Sequence, residues 1–208
     1  MEIVPVQEET TPRRAALALS HGEIVLYPTD TLYGLGADAL SDDAVAKIYA
    51  IKGREEGKPI HAIVADLDMA ERFAYVDDTA RLLAEKFLPG PLTLILKKKP
   101  GIETGIARDI DTFGIRIPNH PFCRALVDQF GGPVTTTSAN RSGMHPMRNL
   151  DAILAQLGEQ GEGVALCVDA GELPQRLPST VIDLSGGTPN ILREGAISAE
   201  EIRAALDV

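Results

Sequence analysis

Tryptophan is absent from this 208-residue chain, and aromatic residues of every kind make up only 4% of it. Hydrophobic residues still reach 44%, so a sizeable core can form, but it must be aliphatic. Basic residues are outnumbered, 20 against 30 acidic, for a formal charge of -10. That balance argues against a broad electrostatic nucleic-acid surface and leaves room for a local basic pocket. Only two cysteines occur, Cys123 and Cys167, far apart in sequence. Two buried thiols in a cytoplasmic protein are the expectation, not a disulfide framework. The four histidines (His21, His61, His120 and His145) form no HExxH and have no CxxC partner, so no zinc site is expected. No apolar run is long enough to span a bilayer. The opening MEIVPVQEET lacks a basic stretch followed by an apolar core, so no signal peptide is expected.

What is present is an alternation of strand and helix signals. Helices are predicted over 10–21, from Ser41 to a stop at Gly53, over 66–74, 77–87, 121–130 and 150–157, and from Ser198 to Leu206. Strands are predicted over 23–27, 61–65, 92–96, 114–117, 134–137, 164–168, 180–184 and 191–193. The stretches 100–112 and 158–163 read as loops, and neither reads as a linker. One α/β domain spanning 1–208, with helices covering a sheet, is the expectation.

Five polar segments sit where these elements end. The first, YPTDTLYGLGA from Tyr27 to Ala37, places Thr29, Asp30, Thr31 and Tyr33 before Gly34 and Gly36. Its hydroxyls could serve a ligand or bond their own turn. The second, KGREEGKP from Lys52 to Pro59, carries three cations. It is no Walker A loop, because only three residues separate Gly53 from Gly57 and Pro59 stands where a Ser or Thr would meet Mg²⁺. A cationic loop able to meet phosphate remains. In GIRIPNHP, Arg116 alternates with Ile115 and Ile117, so it needs a partner on its own face. Either an internal carboxylate or a ligand carboxylate would serve. TTTSAN offers hydroxyls and backbone N–H groups from Thr135 to Asn140, suited to phosphate oxygens or to a self-bonded turn. STVIDL begins at Ser179.

In this order the segments resemble the YrdC-like family, the threonylcarbamoyl-AMP synthases. PTDTLYGLGA, the Lys-x-Arg pair, PGPLTLIL, GIRIPNHP, the Ser-x-Asn pair, STVIDL and ILREGAIS carry the likeness, from about Ala15 to Ser198. The resemblance implies a twisted, mostly parallel open sheet with surrounding helices and a large concave cavity. It implies synthesis of threonylcarbamoyl-adenylate and pyrophosphate from L-threonine, bicarbonate or CO₂, and ATP with Mg²⁺. A downstream complex would then transfer the group to adenosine 37 of tRNA, with tRNA itself bound indirectly or weakly. By the same resemblance Lys52, Arg54, Ser138 and Asn140 handle ATP and the adenylate. Thr31 and Tyr33 help hold threonine, whose carboxylate Arg116 meets. Thr112, Thr136 and Arg193 complete the contacts, joined by Lys58 and one of Ser179 or Thr180.

The chain departs from the family pattern at Glu55, Leu88 and Pro178, and His61 and Pro146 fall at variable points near the pocket. These put fine specificity in question more than the reaction. It ends soon after ILREGAIS, so any lid is expected from within this domain. The alternative is a non-catalytic nucleotide- or RNA-binding relative, which intact Lys-x-Arg and Ser-x-Asn pairs disfavour. A carbamoyl transferase domain of the hydrogenase-maturation type would bring zinc-finger-like and acylphosphatase-like modules, and none is visible.

Overall fold

A computed structural model describes residues 1–54 and 59–206 of the chain. Its first half runs β1 (Glu2–Pro5), α1 (Thr11–Ser20), β2 (Ile24–Pro28), β3 (Tyr33–Gly36), α2 (Asp42–Lys52), β4 (His61–Ile63), α3 (Leu67–Glu71), α4 (Asp78–Phe87) and β5 (Leu92–Lys97). The second half runs β6 (Thr112–Arg116), α5 (Pro121–Phe130), β7 (Val134–Ser138), α6 (Leu150–Leu157), β8 (Val164–Asp169), β9 (Thr180–Asp183), β10 (Asn190–Arg193) and α7 (Ala199–Leu206). No helix among the described residues is long and apolar enough to cross a membrane.

Local chemistry sets most helix ends. The Ser41 hydroxyl accepts from the Ala44 amide, and the Asp66, Asp77 and Asn149 side chains accept from Met69, Ala80 and Ala152. Each such cap stabilises its helix by about 1 kcal/mol. Gly53 (φ 57°) and Gly131 (φ 75°) close α2 and α5 in the left-handed region. α1 and α5 are the exceptions: neither Thr10 nor His120 makes a side-chain cap bond, and the Thr10 hydroxyl donates to Glu8 instead.

The ten strands lie in the order β1-β8-β2-β3-β7-β4-β6-β5-β9-β10. The α/β class and open sheet agree with expectation, but the predominance of parallel pairs does not. β1–β8, β2–β8, β4–β6 and β5–β9 are parallel, while β2–β3, β3–β7, β4–β7, β5–β6 and β9–β10 are antiparallel. The cause is local at first: β2 turns straight back into β3. β7 then inserts between β3 and β4, antiparallel to both. β3 itself, YGLG, reads as loop in sequence because glycine is a poor strand former. Its neighbours require the glycine, since a Cβ on Gly36 would lie 2.7 Å from the Tyr27 ring.

Strand alternation separates two cores. Ile24 and Leu26 face the core packed by α2, α4, α6 and α7, whereas Val25 and Tyr27 face α1 and α5. Each fully buried aliphatic side chain contributes roughly 1.5–3 kcal/mol. The core beneath α1 and α5 draws strand residues from β1, β2, β4, β7 and β8 only. Over β5, β6 and β10 that same face carries a cavity instead.

Candidate active site

Side chains on this face of the sheet line a cavity of about 1050 Å³. His61 shares the face of Ile63, and Thr136 that of Val134, by the two-residue period of a strand. Thr93 from β5, Arg116 from β6 and Arg193 from β10 reach it as well. The β2–β3 turn supplies Thr29, Thr31 and Tyr33, and the segment after β7 supplies Ser138, Asn140 and residues 142–149. The stretch before β9 adds Glu172, Gln175, Arg176, Pro178 and Ser179. Six cations line it among the described residues: Lys52, Arg54, Arg116, Arg148, Arg176 and Arg193. An acidic chain thus gathers positive charge in one hollow.

Each cation is held in place by its own bonds. Lys52, the last residue of α2, is only 3% exposed. Its ammonium donates to the backbone oxygens of Ser138 and Asn140 and, at 3.1 Å, to Asn140 Oδ1. The Ser138 hydroxyl donates to the same Oδ1, and Asn140 Nδ2 donates to the Arg141 and Met144 carbonyls. The Lys-x-Arg lysine and the Ser-x-Asn loop are therefore one bonded unit. Arg116 donates from Nε to Gly90 O (3.1 Å), from Nη1 to Thr31 Oγ1 (2.9 Å) and from Nη2 to Asp30 Oδ1 (2.6 Å). Arg193 donates to the Ser179 carbonyl and hydroxyl. Gly195 makes that approach possible, because a Cβ there would lie 2.2 Å from Pro178 O.

The electrostatics reflect crowded positive charge. Burial, then Arg54, pushes the Lys52 ammonium down to about 8. Burial, then Arg193 and Arg54, pushes His61 down to about 4. Burial and then Arg116 lower Arg193. Every one of these shifts disfavours the cationic form, as unbalanced neighbouring cations and desolvation do. Two of the six cations have carboxylate partners among the described residues, Arg116 with Asp30 and Arg148 with Glu172.

Of the residues singled out in sequence, Lys52, Arg54, Ser138, Asn140, Thr31, Tyr33, Arg116, Thr136, Ser179 and Arg193 all line this cavity. Thr112 does not. It opens β6 opposite Lys97, four residues from Arg116 at the far end of the strand. Thr180 does not either. Strand alternation turns it inward, where its hydroxyl donates to Ile197 O and accepts from the Gly195 and Ile197 amides. Lys58 lies outside the described residues. Tyr33 borders the cavity, while its ring packs in the core with Leu35 and Leu26. Its hydroxyl is spent on the segment after β8, donating to Gly171 O and accepting from Ala170 N. Thr29 bonds its own turn, donating to Leu32 O and accepting from the Thr31 and Leu32 amides.

Sequence reasoning missed Arg148, Arg176 and Glu172, which come from loops without a motif. It left the partner of Arg116 open, and the structure supplies an internal carboxylate, Asp30. The lone charged residue of the YPTDTLYG run, Asp30, was the available signal.

A family model named Sua5_yciO_yrdC, described as telomere recombination, matches residues 17–195. The chain is 43% identical over 182 residues to a putative threonylcarbamoyl-AMP synthase of Methanocaldococcus jannaschii, covering 88% of this chain and 84% of that one. P. abyssi Sua5 complexed with L-threonine matches with a TM-score of 0.88 and 33% identity, over 99% of this chain and 61% of that one. This chain thus spans about three fifths of that relative's length. E. coli YciO matches with a TM-score of 0.80 and 28% identity, over 97% of this chain and 96% of that one. Sequence and architecture agree over nearly the whole length, and the chain belongs to the Sua5/YciO/YrdC family.

Proposed function

We propose that the chain is a threonylcarbamoyl-AMP synthase, joining L-threonine, bicarbonate or CO₂, and ATP into threonylcarbamoyl-adenylate with release of pyrophosphate. One observation carries this reading: six cations from separate elements converge with Ser and Thr hydroxyls in a single cavity. Its volume is at the upper end of the ~300–1,000 Å³ usual for small-molecule sites, enough for a nucleotide beside an amino acid. The relatives named as such synthases, and the P. abyssi protein complexed with L-threonine, support the same substrates.

Threonine's amine combines with CO₂, losing a proton, to give a carbamate. A carbamate oxygen then attacks the α-phosphorus of ATP as the bond to the β-phosphate breaks. No side chain needs to act as a covalent nucleophile. The protein's task is to position three ligands and to balance charge on the phosphates. Lys52, Arg54 and Arg193 are assigned to the phosphate chain, with Ser138 and Asn140 beside them. Arg116 keeps two of its five N–H donors free of the described residues, enough to take the threonine carboxylate next to Thr31.

Mg²⁺ enters this reading as part of the nucleotide. The described residues hold no cluster of three His, Cys, Asp or Glu suited to a metal ion. The carboxylates nearest the cations, Asp30 and Glu172, are each engaged by an arginine. Bound to triphosphate, the ion would screen its charge; among the described residues no cluster offers it a seat. A downstream complex would take the adenylate and modify adenosine 37 of tRNA, in the cytoplasm. The tRNA itself would be met only indirectly or weakly, in keeping with the formal charge of -10.

Lys52→Ala and Arg54→Ala test the assignment. Each should lower threonine- and bicarbonate-dependent pyrophosphate release by roughly a hundredfold, the usual effect of removing one charge contact. Circular dichroism should find the fold intact. Wild-type turnover in both variants would remove the proposed roles.

A further inference from the structure

His61 opens β4 on the cavity face, directly across from Thr136 of β7. On its other side lies β6, where Gly114 leaves a gap that the imidazole fills. A Cβ on Gly114 would come 2.6 Å from His61 Cδ2 and 3.1 Å from Cγ. The ring is thereby laid across the cavity floor. Its nitrogens make no hydrogen bond to any described residue, yet neither is sealed off. Among the described residues the sole buried side-chain nitrogen or oxygen without a partner is His120 Nδ1. Both His61 nitrogens therefore keep some exposure, and the residue lines the cavity.

The charges that His61 feels are Arg54, following α2, and Arg193, ending β10. Thr136 from β7, and Gly114 and Ile95 from β6 and β5, bring no charge to the ring. We infer that His61 is a further polyphosphate-binding residue, its open imidazole nitrogens meeting phosphate oxygens held between Arg54 and Arg193. The inference rests on the ATP reading above and adds to it a residue that the family motifs do not contain.

Chemistry favours this over a packing role. Packing alone leaves the ring's nitrogens without a hydrogen-bond partner among the described residues, and the charges of Arg193 and Arg54 disfavour its protonated form. An anion between the arginines reverses the situation. The neutral ring can donate one N–H to a phosphate oxygen at once. With the arginine charge offset, it can also take a proton from solvent and form a charge-assisted bond. In the free protein the ring is held near 4, so it is neutral at pH 6. Lys52, held near 8, is already charged there and takes up no proton at that pH. Proton uptake at pH 6 is therefore not that of Lys52, and following the His61 ring itself separates it from His145, which lines the same cavity, and from the ligand's own protons.

The probe is inorganic pyrophosphate. The His61 ring resonance, assigned by its loss in His61→Gln, is followed by NMR against pH with and without pyrophosphate. The expected result is a titration midpoint raised by about one unit or more on addition of the ligand. His61→Gln should bind pyrophosphate about tenfold more weakly at pH 6. If wild type binds pyrophosphate with the His61 midpoint unmoved, and His61→Gln binds it equally well, His61 is a packing residue and the inference is overturned while the synthase reading stands. If wild type binds no pyrophosphate, both fall together. The midpoint is read on the wild-type protein, and the variant serves to assign the resonance and to give a second reading through its affinity.

Discussion

Arg116 and Asp30 form an ion pair of 2.6 Å in which both side chains are nearly sealed from solvent, at 5% and 8% exposure. The pair ties β6 to the β2–β3 turn across 86 residues of sequence. A guanidinium so deeply placed cannot be left without a counter-charge, and Asp30 supplies it.

Asp30→Asn should therefore destabilise the fold by about 3 kcal/mol, the lower end for breaking a buried pair. The lower end applies because Arg116 keeps its bonds to Thr31 and Gly90 and borders the cavity. Urea denaturation measures this, and an unchanged midpoint would show that the pair does not matter to stability. The same variant should raise the KM for threonine, since Arg116 would no longer be held in one orientation.

Lys52 predicts a pH dependence with a definite sign. Its folded value lies near 8 against an ordinary 10.5. Between those limits the unfolded chain holds a proton that the folded chain has released, so stability should climb with pH across that window. ATP binding should do the opposite. Phosphate favours the charged ammonium, so affinity should be greatest below about 8 and fall above it. Calorimetry at intervals from pH 7 to 10 reads both. Lys52→Arg should flatten the decline, because guanidinium stays charged throughout.

Much of the fold was legible because its signals are local. Ser41, Asp66, Asp77 and Asn149 cap helices as their types suggest, and Gly53 ends α2 where expected. β1 and β3 were not legible. The first is a short edge strand and the second contains two glycines, and both owe their form to neighbours distant in sequence. The mixed pairing was hidden for the same reason, since strand direction depends on where β7 inserts. At the site, Lys52, Arg54, Ser138, Asn140, Arg116 and Arg193, all named by the resemblance, line one cavity. It could not tell Ser179 from Thr180, which strand alternation separates, nor place Thr112 at the remote end of its strand.

Gly195 is predicted to be intolerant. Its added Cβ would meet backbone atoms of two residues, 2.2 Å from Pro178 O and 2.7 Å from Ser179 O. Backbone cannot swing away as a side chain can, so Gly195→Ala should cost about 1–3 kcal/mol. It should also weaken ATP binding by shifting Arg193 from Ser179. Thermal melting and nucleotide titration check the two effects, and a fully wild-type Gly195→Ala would show that the contact is loose.

The most direct measurement incubates the protein with ATP, Mg²⁺, bicarbonate and L-threonine and follows the products by mass spectrometry. Threonylcarbamoyl-adenylate should form with one pyrophosphate per molecule, and omission of threonine, bicarbonate or ATP should abolish both. Pyrophosphate release that ignores threonine, or ATP binding with no adenylate formed, would contradict the account.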